Sequence, residues 1–196
     1  RIPAYPTGCA ICEVEIDPDT GAVSIPRYGS IDDAGQAINP LILHGQVHGG
    51  IVQGLGQAMS ELCYYEPTSG QMLSASFMDY AMPRARMMTW VESENTVTPS
   101  PINPLGAKGV GEAGTIGSTP AMVNSVVDAL APLGVRHIDM PMTPECVAIY
   151  LGIVRAGMVV VSIADSFAPA EISTRLKIAN ARAIFTQRVL RRGGKE

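Results

Sequence analysis

The sequence predicts an α+β fold over residues 1 to about 140, in which a mostly antiparallel sheet packs against helices. A small α/β appendage is predicted over residues 141–196. Three observations support this prediction. Residues 9–33 alternate apolar and polar side chains in two runs joined by a turn, which is typical of a β-hairpin. Residues 45–62 carry apolar side chains at helical intervals. Residues 141–196 alternate helical and strand-like segments, which favours a piece of parallel α/β sheet.

The hairpin is predicted from a strand in CAICEVEID, a turn in PDTG and a returning strand in AVSIPRYGSIDD. Proline, aspartate and glycine are the residues that turns prefer. Two later segments, MLSASFMDYAMP and TWVESENTVTP, also favour extended structure. The segment TVTPSPINPLGAKG carries three prolines and is predicted to be a loop.

Two helices are predicted within the first part. The first runs from about Gly45 to Leu62 and contains five glycines, each of which costs about 1 kcal/mol relative to alanine. Such a density indicates close backbone approach, either by another element or by a ligand. The second helix is predicted to begin at Thr119 and Pro120, an N-cap and a first-turn proline, and to run to about Leu130.

The appendage begins with a long apolar run, VAIYLGIVRAGMVVVSIA. A membrane span is disfavoured because Arg155 sits at its centre, where a charge costs roughly 2.5–3.5 kcal/mol. A helix ending near Ala156, capped by Gly157 and followed by a buried strand over residues 158–164, fits better. After Pro169 the pattern predicts an amphipathic helix and then a strand in AIFT.

Composition limits the function classes. The chain has 196 residues, of which 46% are hydrophobic and 16% charged, so it can bury a core. The formal net charge is −4 and the only basic cluster is near the C-terminus, which argues against nucleic-acid binding. Four cysteines are too few for a disulfide scaffold and favour a reducing cytoplasm. The sequence opens without methionine and reads like the middle of a longer protein.

The segment GAKGVGEAGTIGSTPA contains a G-x-G-x-x-G motif at Gly109, Gly111 and Gly114, with Glu112 inside it. A dinucleotide-binding loop needs a strand directly before the first glycine, whereas a proline-rich loop precedes it here. The alternative is a carboxylate mounted on a glycine loop just ahead of a helix, where the helix dipole favours a negative charge. Such a carboxylate is suited to act as a general base. A third reading, an ordinary loop glutamate among turn glycines, stays open.

Three further groups of side chains are candidate sites. His44 and His48 have the spacing of a metal-binding helix, but the zinc-protease glutamate is replaced by Gly45 and no third ligand is apparent, so no metal site is predicted. Cys9 and Cys12 form a C-x-x-C pair whose members point to opposite faces of a strand, which favours structural cysteines. Lys108 is expected either to steady an anionic cofactor or substrate, or to be a solvated loop lysine.

Residues 1 to about 140 resemble the C-terminal portion of the molybdenum-binding large subunit of the xanthine dehydrogenase and aldehyde oxidase family, and most resemble its carbon monoxide dehydrogenase-like branch. The matching stretches include GCAICEVEIDPDTGAV, INPLILHGQVHGGIVQGLGQAMSE, SFMDYAMPRA, TPSPINPLGAKGVGEAGTIGSTPAMVNSVVDAL and GVRHIDMP, in the family's order.

This resemblance implies roles for several residues. Glu112 corresponds to the active-site base of the family, and Gln46, in the G-Q-x-x-G-G motif, to the glutamine that contacts the pterin. We assign Gly109 and Gly111 to cofactor binding as well. The family oxidises a carbon in substrates such as aldehydes, N-heterocycles or carbon monoxide, with water as the oxygen source. The implied cofactor is molybdopterin with molybdenum, and the carbon monoxide dehydrogenase-like character favours the cytosine dinucleotide form. Iron–sulfur and flavin subunits and a small-molecule substrate are the implied partners.

Residues 141–196 resemble the N-terminal part of AMP-forming acyl-CoA synthetases of the acetyl-CoA synthetase kind, without the phosphate-binding loop of that family. The chain therefore reads as a fragment or a junction of two families, with the crossover near IDMPMTPE. Three function classes follow: a fragment of a molybdenum-dependent hydroxylase that is inactive alone, a fragment of an acyl-CoA ligase, and a non-catalytic chimeric polypeptide.

Overall fold

The computed structural model describes residues 4–88, 90–160 and 169–181. Strands β1 (Thr7–Ile16) and β2 (Val23–Asp33) form the hairpin, and β3 (Val91–Thr96) completes a three-stranded sheet in the order β1-β2-β3. The helices are α1 (Pro40–Met59), α2 (Ala113–Leu130), α3 (Pro144–Arg155) and α4 (Pro169–Ile178). These elements form a mixed α and β structure.

The hairpin prediction is confirmed. β1 pairs antiparallel with β2, and the side chains of β1 alternate between exposed and half-buried positions. The register shifts between Glu13 and Glu15, opposite the part of β2 that contains Pro26. Proline cannot donate to a ladder and is accommodated at such irregularities. β3, however, runs parallel to β2, so the sheet is mixed.

The segment MLSASFMDYAMP does not form a strand, contrary to the sequence prediction. Its ladder pairing is limited to an isolated bridge between Tyr65 and Met72, and the following residues form turns. The Ser76 hydroxyl donates to the Asp79 carboxylate, and the Ser76 carbonyl accepts from the Tyr80 N–H at 2.8 Å. These local bonds occupy polar groups that a sheet ladder would otherwise use.

α1 begins five residues earlier than Gly45. Asn39 is its N-cap, the Asn39 side chain accepts from the Ile42 N–H at 3.3 Å, and Pro40 lies in the first turn. The predicted start of α2 is also wrong. The helix begins at Ala113, so Pro120 lies inside it. Hydrogen bonds from the first turns of α2 to α1 stabilise a helix start at Ala113 that local sequence signals do not favour.

α2 lies between the sheet and α1. On one side the Ser125 hydroxyl donates to the Cys12 carbonyl of β1 at 2.6 Å, and on the other side α2 runs along α1. The core between these elements has the following buried residues: Ile25, Tyr28, Val47, Ile51, Leu55, Met122, Val126, Leu130, Val135, Ile138, Met142, Val147, Tyr150 and Leu151.

α3 belongs to this same core, although the appendage was predicted to start at residue 141. Val147, Tyr150 and Leu151 are buried in it. The Met142 N–H donates to the Ala58 carbonyl at 2.8 Å, and α3 lies so close to the hairpin turn that a Cβ on Gly21 would overlap the Pro144 carbonyl oxygen. The C-terminal end of α3 follows the sequence prediction, with Gly157 at φ +71.

A strand was predicted over residues 158–164, but residues 158–160 have no regular secondary structure. The rest of that segment and the predicted strand in AIFT lie outside the described residues. Within the ranges that the structure covers, no helix combines the length and the apolar character needed to cross a membrane.

Candidate functional site

Gln46 of α1 contacts the loop that precedes α2. Residues 106–111 are called the glycine loop below, since they contain Gly106, Gly109 and Gly111. The Gln46 Nε2 donates a hydrogen bond of 2.8 Å to the Gly111 carbonyl oxygen, across 65 positions of sequence. The fold thus brings together the two motifs that sequence analysis singled out.

Glu112 directly follows the glycine loop and is the N-cap of α2. Its φ and ψ are −118 and 5, and its side chain makes no capping hydrogen bond, whereas its backbone carbonyl accepts from the Ile116 N–H at 3.0 Å. The residue is exposed. The main chain of Glu112 is therefore fixed by the helix, while its carboxylate stays available to a group outside the described part of the chain.

Gly109 and Gly111 face open space. A Cβ atom on either glycine would meet no described atom within 4 Å. By contrast, a Cβ on Gly114, in the first turn of α2, would overlap the Val47 carbonyl oxygen. Packing within the described residues therefore explains Gly114 but does not explain Gly109 and Gly111.

Two threonines fix the start of α2 against α1. The Thr115 hydroxyl donates to the Gly50 carbonyl at 2.9 Å, and the Thr119 hydroxyl donates to the Gly54 carbonyl at 3.1 Å. Glycines at positions 50 and 54 allow this close approach, so part of the glycine density of α1 serves helix packing. Gly45 and Gly49 are different, because a Cβ on either would meet nothing within 4 Å.

Lys108 forms an ion pair with Asp33. The Lys108 Nζ lies 3.0 Å from the Asp33 Oδ2, and the two side chains are only 12% and 10% exposed. The alternative of a solvated loop lysine is therefore wrong. The pKa of the Asp33 carboxyl lies well below its usual range because the carboxylate accepts several hydrogen bonds. Those from Thr98 contribute most, followed by those from the Gly35 N–H and from Lys108.

His44 and His48 share one hydroxyl group. The His44 Nδ1 and the His48 Nε2 each lie 2.9 Å from the Ser93 Oγ of β3. A serine hydroxyl can donate to one ring and accept from the other, so these contacts hold α1 against β3. Within the described ranges, no three His, Cys, Asp or Glu side chains are grouped in a way that could hold a metal ion.

Cys9 and Cys12 lie on opposite faces of β1, as the alternation predicts. Cys9 is exposed and Cys12 is half-buried, and the four cysteines of the described residues are free thiols. Burial raises the pKa of the Cys12 thiol to about 11, although a hydrogen bond with Ser125 lowers it in part.

Sequence reasoning missed Asp33, Thr98 and Thr115 as residues that hold the candidate site together. Asp33 ends β2, Thr98 follows β3, and Thr115 lies in the first turn of α2. Each makes a hydrogen bond with a residue at least 62 positions away in the sequence. No local spacing in the sequence signals such pairs.

Two protein families match different parts of the chain. The molybdopterin cofactor-binding domain matches residues 2–89, and the AMP-binding enzyme family matches residues 113–195. The resemblance of the first part to a molybdenum-cofactor domain and that of the tail to an AMP-binding enzyme are both confirmed.

Individual proteins also resemble these two families. The carbon monoxide dehydrogenase large chain of Hydrogenophaga pseudoflava is 44% identical over 139 residues, which are 71% of this chain and 17% of that protein. Reconstituted carbon monoxide dehydrogenase from Oligotropha carboxidovorans has a similar structure, with a TM-score of 0.73 and 40% identity over 78% of this chain and 19% of that chain.

The tail has a different relative. The probable peroxisomal acyl-activating enzyme 17 of Arabidopsis thaliana is 62% identical over 72 residues, covering 34% of this chain and 10% of that protein. The chain thus spans less than a fifth of the length of each of these relatives.

Proposed function

We propose that the N-terminal part of this chain forms part of the cofactor site of a molybdenum-dependent hydroxylase and supplies its general base. The premise is that this part is homologous to the carbon monoxide dehydrogenase and xanthine dehydrogenase family. The proposed reaction oxidises an aldehyde, an N-heterocycle or a carbon monoxide-type substrate with water as the oxygen source. The chain carries less than a fifth of such a large chain, so we expect activity only when the remaining segments complete the site.

The hydrogen bond from Gln46 to Gly111 is the observation that carries this proposal. It connects the proposed cofactor ligand on α1 to the residue directly before the proposed base, Glu112. A cofactor contact and a reacting group must lie close together for catalysis, because a positioned base acts only within hydrogen-bond reach of its proton.

The residues at this position fit a pterin. Gln46 uses its Nε2 toward Gly111, which leaves the amide oxygen as an acceptor for a ring N–H group. Gly109 and Gly111 leave backbone accessible where a side chain would stand in the way. We extend the proposal to molybdopterin in its cytosine dinucleotide form, in line with the resemblance to the carbon monoxide dehydrogenase branch.

The molybdenum cofactor, when bound, supplies the Lewis-acid and redox chemistry. Glu112 takes up a proton from water at a carboxylate oxygen, and the helix start fixes the main chain that carries this side chain. Gln46 holds the glycine loop, and with it Glu112, at a constant position relative to α1. The residues of this chain thus orient the cofactor and move one proton.

Further parts of the proposal follow from the same family. Electrons leave through iron–sulfur and flavin subunits, the substrate is a small molecule, and the assembly works in the cytoplasm. For the tail, we propose an α/β segment without an active site of its own.

The test is reconstitution of the full chain with the missing segments of a carbon monoxide dehydrogenase large chain, followed by measurement of molybdenum and pterin content and of turnover. We expect Glu112→Gln to keep the cofactor and to lower kcat by about 10²–10⁴-fold. Gln46→Ala should lower cofactor content, with activity falling in proportion.

Two variants serve as matched controls. Glu145→Gln changes another exposed glutamate in the first turn of a helix, α3, and Gln57→Ala changes another exposed glutamine of α1. Both should leave cofactor content and kcat unchanged. Normal turnover by Glu112→Gln, or a wild-type assembly that binds no molybdenum, would show that the proposal is wrong.

A second candidate function, an acyl-CoA ligase fragment, is favoured by the 62% identity of the tail to an acyl-activating enzyme. ATP–pyrophosphate exchange with acetate tests it directly. We expect no exchange, because the 196 residues lack the phosphate-binding loop on which that chemistry depends.

A further inference from the structure

Asp33 connects three separate segments of the chain. It is the last residue of β2, and its Oδ1 accepts from the Gly35 N–H at 2.9 Å and from the Thr98 N–H at 3.0 Å. Its Oδ2 faces the Lys108 Nζ at 3.0 Å. One carboxylate thus joins the turn after β2, the loop after β3 and the glycine loop. Charge-assisted hydrogen bonds of this kind are the stronger ones in proteins.

The backbone around Lys108 is held by the same turn. The Lys108 N–H donates to the Ala34 carbonyl at 2.9 Å, and the Gln36 N–H donates to the Gly106 carbonyl at 3.0 Å. Gly35 and Ala107 form an isolated bridge between these bonds. Main chain and side chain of Lys108 are therefore fixed to the end of β2 together.

Glu112 lies four residues after this fixed point. Between them, Gly109 and Gly111 have no described atom within 4 Å of a Cβ position, whereas Val110 packs against the core and the Gly111 carbonyl accepts from Gln46. On the other side of Glu112, Thr115 holds α2 to Gly50. The position of Glu112 thus depends on α2 behind it and, ahead of it, on Gln46, Val110 and Lys108 together.

We propose that Asp33 and Lys108 form a positioning pair, which sets the place of Glu112 through the glycine loop, and that Lys108 does not bind the cofactor. This inference rests on the proposed function in taking Glu112 as the base. The alternative role of Lys108, a ligand for an anionic group, conflicts with the geometry, because its ammonium group is nearly buried and already neutralised by Asp33.

The first experiment uses the full chain alone and measures amide hydrogen exchange. Lys108→Met removes the charge and keeps the length of the side chain. We expect exchange of the Lys108-position amide and of the Ala113 amide, which donates to Val110 at 3.3 Å, to accelerate by about tenfold or more through local opening. The amide of Ile51 in the core should not change, which separates local loosening from unfolding.

Three further variants sharpen this measurement. Lys108→Arg keeps the cation and should restore slow exchange. Asp33→Asn together with Lys108→Met removes both charges, avoids an unpaired buried charge and should still loosen the loop. Glu92→Gln breaks an exposed pair with Arg27 on the same sheet, where both side chains are about 70% exposed, and should have no effect. Unchanged exchange at Lys108 and Ala113 in both the single and the double variant would overturn the proposal.

The second experiment uses the reconstituted assembly. If Lys108 is a positioning residue, Lys108→Met lowers kcat by roughly 10²-fold, leaves cofactor content and KM unchanged, and is rescued by Lys108→Arg. If cofactor content falls instead while loop exchange stays slow, Lys108 is an anion ligand and the proposal is wrong. A wild-type assembly without cofactor refutes the proposed function, whereas the exchange measurement still decides whether the pair holds the loop.

Discussion

Gly54 of α1 lies so close to α2 that a Cβ atom on it would overlap the Ser118 hydroxyl oxygen. The same Cβ would also stand 2.8 Å from the Thr115 carbonyl oxygen, which is backbone and cannot rotate away. The two helices therefore touch through their main chains at this point, and the first turns of α2, which directly follow Glu112, depend on the contact.

Gly54→Ala should destabilise the protein by about 1–3 kcal/mol, because the added methyl group overpacks this helix interface. Gly49→Ala is the matched control on the same helix. Its Cβ would meet no described atom within 4 Å, so the change should instead stabilise the isolated chain by about 0.5–1 kcal/mol through helix propensity. Urea unfolding of both variants measures the difference, and equal effects of the two substitutions would contradict the packing described for Gly54.

Leu151→Ala should cost about 2–5 kcal/mol, although it lies in the segment that matches AMP-binding enzymes. Leu151 is 5% exposed within the core that also contains Ile51 and Met122. Ile149 lies on the same helix and is 41% exposed, so Ile149→Ala should change the free energy of unfolding by only about 0.5 kcal/mol. Denaturation midpoints give the comparison. Similar small effects of both changes would mean that α3 is not part of the core.

Cysteine reactivity should follow burial. At pH 8 we expect iodoacetamide to modify the exposed Cys9 and Cys63 at least about tenfold faster than Cys12, whose thiol stays protonated because burial raises its pKa to about 11. Mass spectrometry of the alkylated peptides measures the order. Rapid modification of Cys12 would show that β1 does not lie on α2 as described.

The same burial predicts alkaline sensitivity. Below pH 9, the ordinary pKa of a thiol, the protonated Cys12 contributes its full stabilisation, and this is lost as the pH rises from 9 to 11 because only the unfolded chain then releases the proton. Burial raises the phenol pKa of Tyr28 as well, with the same sign. The urea midpoint should therefore fall between pH 8 and pH 10.5, and by less in Cys12→Ala. An equal fall in both proteins would exclude Cys12 as a cause.

The parts of the fold that depend on local patterns were predictable. Alternation and turn residues placed the hairpin, and Gly157 placed the end of α3. The start of α2 was not predictable, because Pro120 is a strong local start signal and the contacts that extend the helix back to Ala113 come from α1.

The candidate site shows the same limit. The motifs identified Gln46, Gly109, Gly111 and Glu112, but the sequence alone left Lys108 between two roles, and its partner Asp33 is 75 positions away. Ion pairs at such separation arise from sheet and loop geometry, which the residue pattern does not reveal.

Gly45 and Gly49, one turn apart on α1, flank the residue that contacts Gly111, and all three glycines have free space where a side chain would stand. Groups without side chains have no rotamers to lose on binding, whereas an ordered long side chain costs about 0.5–1.5 kcal/mol of conformational entropy. A surface built in this way presents main chain rather than side chains. A group that packs there orders no side chain at these three positions, so replacing the glycines by residues with flexible side chains would add an entropy cost to any binding even if every contact were kept.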